Sequence, residues 1–289
     1  MTNFLDLRLQ PVGGELSSRV AAFQGTRISN YTGLLPDNLL NAIRGRDVLI
    51  ATHGFNVNRE DGIACLSNWE GLLQLGPEAA FLGLLWPGDS IWAHGADYPG
   101  ESKVADEAGV LLAAFLEENF QQVASLSFVS HSLGARLVLS TIQNLHRSVR
   151  RLTLMAGAID DDCLNAEFRS AASRVGAISV LASKKDEVLS TLFPLGNFFA
   201  GIIDQGHPWW HAAIGHCGPQ QQWPSNFVAP FLIPDAWDFG HGNYLQIDRG
   251  SPILRRPVTV PPQGSPKPAG GAPGWQEAFT AGFESTRFP

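Results

Sequence analysis

Leu126-Ser127-Phe128-Val129-Ser130-His131-Ser132-Leu133-Gly134-Ala135-Arg136 is the stretch on which the fold turns. An apolar run over 126–129 reads as a buried strand, and the run from Ala135 to Leu139 reads as the start of a helix. Only a few residues join them, so the chain must turn sharply, and helix and strand backbones must approach closely. Small residues are needed on both sides of such a turn. A serine at its centre, in the pattern G-x-S-x-G, presents its hydroxyl at the end of the strand. Ser132 is that serine and Gly134 the second glycine, while Ser130 stands where the first glycine is usual. The plainer alternative is that Ser132 only caps the helix.

The same rhythm extends in both directions. Apolar runs at 47–52, 80–86, 152–156 and 177–182 read as further strands, and residues 60–75, 101–120 and 134–146 carry helical spacing. Strands that are apolar on both sides and alternate with helices form a parallel sheet covered on both faces. Ligands bind beyond the carboxyl ends of such strands, so the chemistry is sought there. Residues 1–40 read as short strands and turns, 41–250 as the α/β core, and 251–289 as a Pro/Gly-rich tail with little regular structure.

Composition removes several function classes. Lys and Arg total 20 against 27 Asp and Glu, a formal charge of −7 with no basic run, so the electrostatic footprint of a nucleic-acid binder is missing. Charged residues are 16%, below the roughly 25% of an average domain, which argues against a charge-driven disordered chain. The three cysteines, Cys65, Cys163 and Cys217, are widely spaced and form neither a disulfide framework nor a zinc motif. Asp6 and Arg8 interrupt the position where a signal peptide needs its apolar core, and no run is long enough for a transmembrane helix. The reading places the chain in the cytoplasm, with export by a machine that reads no signal peptide left open.

Three runs in this order resemble a known family: His53-Gly54-Phe55-Asn56, Trp86-Pro87-Gly88 and Ser130-His131-Ser132-Leu133-Gly134. The chain resembles the α/β-hydrolase superfamily, and within it the bacterial serine hydrolases once grouped as a domain of unknown function, which carry HGFN, WPS and SHSMG motifs. The resemblance covers roughly residues 45 to 245. It implies the α/β-hydrolase fold, a mostly parallel twisted sheet with helices on both faces; the 54 residues between Asp186 and His241, far more than a usual α/β loop, read as a cap at about 192–236. In such relatives serine also replaces the first elbow glycine. Trp86-Pro87-Gly88 departs from WPS at its last residue.

The resemblance also implies a division of labour. Ser132 is the expected nucleophile. The N–H of Leu133 and, by resemblance, that of Phe55 are the expected oxyanion donors. The fold orders its triad as serine, acid, histidine. Asp186 follows the strand two after that of the elbow, where the family keeps its acid; Glu187 is the fallback, and Asp160, Asp161 and Asp162 are the rival cluster. Among eight histidines, His241 lies in a Gly-flanked loop before the tail, in a His-x-x-Tyr setting like that of the family, and is the expected base. His53 is expected to be structural, and His131 to point away from the site. A metal site at His207, His211 and His216 has no supporting carboxylate spacing.

The reaction expected from this set is ester cleavage through an acyl-enzyme, with no metal or organic cofactor. The substrate expected is a small-molecule acyl ester or lipid. Trp86, Trp209 and Trp210 are candidate walls of an apolar pocket. The aromatic residues between Asp186 and His241 serve equally well as the core of the cap itself. A phospholipase, thioesterase or amidase with the same triad, or a hydrolase-like binding protein without turnover, are the alternatives.

Overall fold

The computed structural model describes residues 1–11, 15–73, 75–89, 98–191, 212–219, 224–227, 231–233, 235 and 239–244. The tail at 251–289, Trp209, Trp210, His207, His211 and most of the expected cap lie outside the described residues.

Among the described residues, a single sheet of nine strands organises the chain, in the order β3-β2-β1-β5-β4-β6-β7-β8-β9. The strands are β1 Thr2–Arg8, β2 Leu16–Gly25, β3 Thr32–Gly33, β4 Asp47–Thr52, β5 Ala79–Leu85, β6 Ser125–His131, β7 Val149–Met155, β8 Val175–Ala182 and β9 Phe231–Leu232. All neighbours from β1 to β9 pair in parallel, and β2 and β3 pair antiparallel at one edge. The architecture is that of an α/β-hydrolase. The first forty residues are part of this sheet: β1 lies between its antiparallel partner β2 and the parallel β5.

Each central strand is buried on both faces, which explains its near-continuous apolar sequence. Alternate residues enter two separate cores. Val48, Ile50, Leu126 and Phe128 face a core shared with α1 (Pro36–Ile43), α3 (Tyr98–Asn119), α4 (Gly134–Asn144) and α5 (Arg169–Ser173). Leu49, Ala51 and Val129 face the other, shared with α2 (Arg59–Leu73) and with Phe239 and Tyr244. α1 is absent from the sequence-based reading. It spans eight residues, with Pro36 at its first turn and Leu39 and Ile43 buried one turn apart, too short to leave a periodic signature.

The carboxyl ends of β4 and β6 are neighbours, with Thr52 opposite Ser130. The connections out of β4 lead to α2 and β5 on one side while β6 lies on the other, so the chain reverses its direction of winding here. A crevice opens at such a point.

Arg8, at the end of β1, secures the loops on the β5 side of this crevice. Its guanidinium donates to the carbonyls of Val57 (3.2 Å) and Trp86 (2.9 Å), to those of Gln10 and Pro11 (both 3.3 Å), and to the Asp89 carboxylate. The side chain is fully buried. A buried cation is tolerated because this planar fork of donors is met by acceptors all round. Arg8 therefore laces the loop after β4 to the loop after β5. Beside it, burial pushes the Asp6 carboxyl above its ordinary value, against the opposing pull of the Arg8 N–H, Arg59 and the Tyr31 hydroxyl.

Candidate active site

Ser132 stands between β6 and α4 with φ of 53°, in the left-handed region that L-residues avoid. That conformation makes the turn sharp. It is held by the Ser132 N–H donating to Met155 O (3.0 Å) and by the Ser132 carbonyl accepting from Ala135 N–H (3.0 Å) and Ala158 N–H (3.1 Å). The strain is thus spread over bonds to the end of β7, to the loop after it and to the start of α4.

The loop after β4 closes against this turn because two glycines permit it. A Cβ on Gly54 would come within 2.5 Å of Ser132 Cβ and 3.0 Å of the His131 carbonyl oxygen. A Cβ on Gly134 would come within 2.4 Å of the His53 carbonyl oxygen and 3.0 Å of Thr52 Cγ2. Both obstacles are backbone or backbone-proximal, so neither can swing aside. Gly134→Ala is expected to cost about 2 kcal/mol, in the range of an overpacked core, and to lower Tm by roughly 4–8 °C. Thermal unfolding followed by circular dichroism reads this; an unchanged Tm would mean that the loop and the helix do not abut.

Phe55 follows Gly54 and is half-buried. Asn56, at φ of 57°, turns the chain away and donates its N–H to Gly88 O at 2.6 Å. Among the described residues, the N–H groups of Phe55 and Leu133 donate to no protein acceptor. They flank the Ser132 side of the crevice. Downstream, Asn58 caps α2 by accepting the Asp61 N–H at 2.9 Å.

Asp186 lies just past β8, with no exposed surface. Its Oδ1 accepts the Leu189 N–H at 3.0 Å, and its Oδ2 accepts from His241 Nδ1 at 2.8 Å. On the other side of the same ring, His241 Nε2 is 2.8 Å from Ser132 Oγ. A carboxylate can only accept, so Nδ1 carries the ring hydrogen and Nε2 is left to accept the serine proton. His241 opens a 3-10 turn, His241–Tyr244, that is tied down at several points. Ser183 Oγ–H donates to Phe239 O (2.6 Å), Trp69 Nε1–H donates to Tyr244 O (2.9 Å), and the Tyr244 ring is fully buried beside Phe239.

The arrangement can move a proton. The hydroxyl, the imidazole and the carboxylate lie in one line of short hydrogen bonds, beside two unengaged backbone N–H groups. A family model for an alpha/beta hydrolase of unknown function (DUF900) matches residues 36–194, more than half of the chain. The chain belongs to this family. Within this alpha/beta hydrolase, the match spans the His53 loop, the Ser132 turn and Asp186, and stops before His241. A search of curated proteins gives no match. Among solved structures, the chain is similar to esterase PE8 at 16% identity, over 69% of this chain and 86% of that one, with a TM-score of 0.40. It is also similar to a structure from the metagenome-derived lipolytic enzymes LipS and LipT: 13% identity, 67% and 85% coverage, TM-score 0.36. A lipase-esterase related protein from Clostridium acetobutylicum shows 20% identity over 43% of this chain and 46% of that one, with a TM-score of 0.26.

The structure corrects two expectations from the sequence. Trp86 does not wall a pocket. It is fully buried, its indole N–H donates to His53 O (3.0 Å), and its ring stacks on that of His53. A large ring with a polar edge is well suited to this, because it fills the core and satisfies a loop carbonyl together. His131 does not point away from the site: its Nε2 is 3.0 Å from the carbonyl oxygen of His241.

Other expectations take a definite place. His53 is wholly buried and links loops, its Nδ1 2.9 Å from Gly54 O and its Nε2 accepting the Trp86 N–H. Glu187 is exposed, and the bond to His241 comes from Asp186 rather than from Asp160, Asp161 or Asp162. The 160–162 backbone instead joins residues 212–213: Asp161 N–H donates to Ala212 O, and Asp160 bridges Ala213. Among the described residues, no group of His, Cys, Asp and Glu could hold a metal ion. None of their helices is long and apolar enough to cross a membrane. Gly88, the departure from WPS, leaves no room for a larger residue: a Cβ would come within 2.8 Å of the Trp86 ring and 3.1 Å of Gly54 O. Arg8 was missed, because nothing in its local sequence indicates that it reaches loops fifty and eighty residues away.

Proposed function

We propose that the protein is a serine hydrolase that cleaves carboxylic esters through an acyl-enzyme, with Ser132 as nucleophile, His241 as general base and Asp186 as the carboxylate that orients it. The observation that carries this reading is the imidazole of His241, 2.8 Å from Ser132 Oγ on one side and 2.8 Å from Asp186 Oδ2 on the other. Ser132 Oγ bonds to the acyl carbon as its proton passes to His241 Nε2. The Leu133 and Phe55 N–H groups hold the developing oxyanion. His241 then protonates the alcohol oxygen as the carbon–oxygen bond breaks. Water, deprotonated by the same nitrogen, attacks the acyl-serine and releases the acid. Asp186 stays ionised and stabilises the imidazolium formed in each half.

The arrangement uses only side chains and backbone donors. The substrate class proposed is a neutral acyl ester or lipid, since neither the sequence nor the described residues around Ser132 supply a cluster of arginines for an anionic group. A fluorophosphonate probe tests the reading directly, because it labels only an activated serine. One adduct is expected, on the peptide that contains Ser132, together with turnover of p-nitrophenyl esters across a series of acyl lengths. No labelling would leave a hydrolase-like binding protein; labelling without ester turnover would move the reading to thioesters or amides.

A further inference from the structure

We propose that His131 is a positioning residue that sets the distance between nucleophile and base, a role that rests on the reading above. His131 is the last residue of β6 and the chain neighbour of Ser132. It is 2% exposed. Its Nε2 lies 3.0 Å from the backbone carbonyl oxygen of His241. A carbonyl can only accept, so Nε2 carries the hydrogen and donates it. The rings of His131 and His241 lie 4.7 Å apart, and the His131 ring is 5.7 Å from that of Tyr244.

This bond joins the two halves of the proton path by a route that does not pass through the path itself. One end is covalently next to the nucleophile, and the other is the main chain of the base. The turn that carries His241 has a glycine on each side, Gly240 and Gly242, and such backbone drifts unless it is tied. Asp186 fixes the ring, while Ser183 and Trp69 fix the backbone of Phe239 and Tyr244. Among the described side-chain hydrogen bonds, that of His131 reaches the backbone of residue 241 itself. Its Nε2 donates to a main-chain carbonyl, so the bond holds the geometry of the turn.

The donor atom, not the imidazole as such, is what the role requires. Glutamine carries an amide N–H at about the reach of Nε2, whereas the amide of asparagine stops about where Nδ1 stands. In the full chain, with p-nitrophenyl butyrate as substrate, His131→Asn is expected to lower kcat by about 10- to 100-fold, as for a misplacement of about 1 Å. KM should stay within about threefold, since ground-state binding is untouched. His131→Gln should keep kcat within about threefold of the wild type by the same criterion. The second-order rate of fluorophosphonate labelling should follow kcat. Equal activity in the two variants, a change confined to KM, or a glutamine variant that does not fold would each overturn the proposal. Ser132→Ala separates the two levels: if it retains turnover, the hydrolase reading fails. If it is inactive while His131→Asn runs at the wild-type rate, only the role of His131 fails.

Discussion

Ser132→Ala is expected to lower ester turnover by at least about 10⁴-fold, as in other serine hydrolases stripped of the nucleophile, while Tm stays within about 2 °C of the wild type, as a change away from the packing determinants should. The separation of the two effects follows from what holds the turn. The left-handed backbone at residue 132 is secured by its own N–H on Met155 O and by its carbonyl on Ala135 and Ala158. None of these bonds uses the hydroxyl. The hydroxyl engages His241 Nε2, so its removal takes away the reacting atom and one hydrogen bond, but leaves the turn standing. Initial rates with p-nitrophenyl esters and a calorimetric scan measure the two quantities. Turnover within tenfold of the wild type would remove Ser132 from the reaction, and a collapse of Tm would mean that the loss reports folding.

The second large effect is expected at Asp186. Asp186→Asn should lower kcat by about 10⁴-fold at neutral pH, the size seen when a triad acid becomes an amide. The buried carboxylate accepts twice, from the Leu189 N–H through Oδ1 and from His241 Nδ1 through Oδ2. An asparagine oxygen that keeps the Leu189 N–H turns its NH₂ toward Nδ1. The imidazole must then hold its hydrogen on Nε2, the atom that has to accept from Ser132, so the base is in the wrong tautomer. The volume hardly changes, and the effect should therefore fall on kcat rather than on folding. Activity within tenfold of the wild type would place the acid elsewhere, with Asp160 to Asp162 the next positions to test by the same amide substitution.

The sequence exposed the parts of this molecule that are local or periodic. Strands buried on both faces write themselves as apolar runs, and β4 and β8 fall where those runs predict them. The Ser132 turn was legible because its constraint is short-range: a strand, a helix and the small residues between them. What escaped was long-range. Trp86 looks like a pocket residue in isolation, and its role appears only when its indole N–H is seen on His53. The donor bond of His131 spans 110 positions, and that of Trp69 spans 175. No spacing rule reaches so far. The stretch between acid and histidine hides another such feature. Length alone suggested a cap, yet residues 212–218 are stitched into the ends of β7 and β8, with Ile214 N–H on Ile159 O, Gly215 N–H on Gly157 O and Ser183 N–H on Gly215 O. Gly215 sits so close that a Cβ would meet the Ala156 backbone at 2.2 Å. Phe231–Leu232 is likewise a sheet strand, paired in parallel with β8.

The turn that carries His241 has a consequence for how the protein is made. Its anchors, Trp69, His131, Ser183 and Asp186, all leave the ribosome before it does. On the proposed mechanism, synthesis runs for more than a hundred residues after Ser132 before His241 is added, so a polypeptide that stalls earlier would lack its general base.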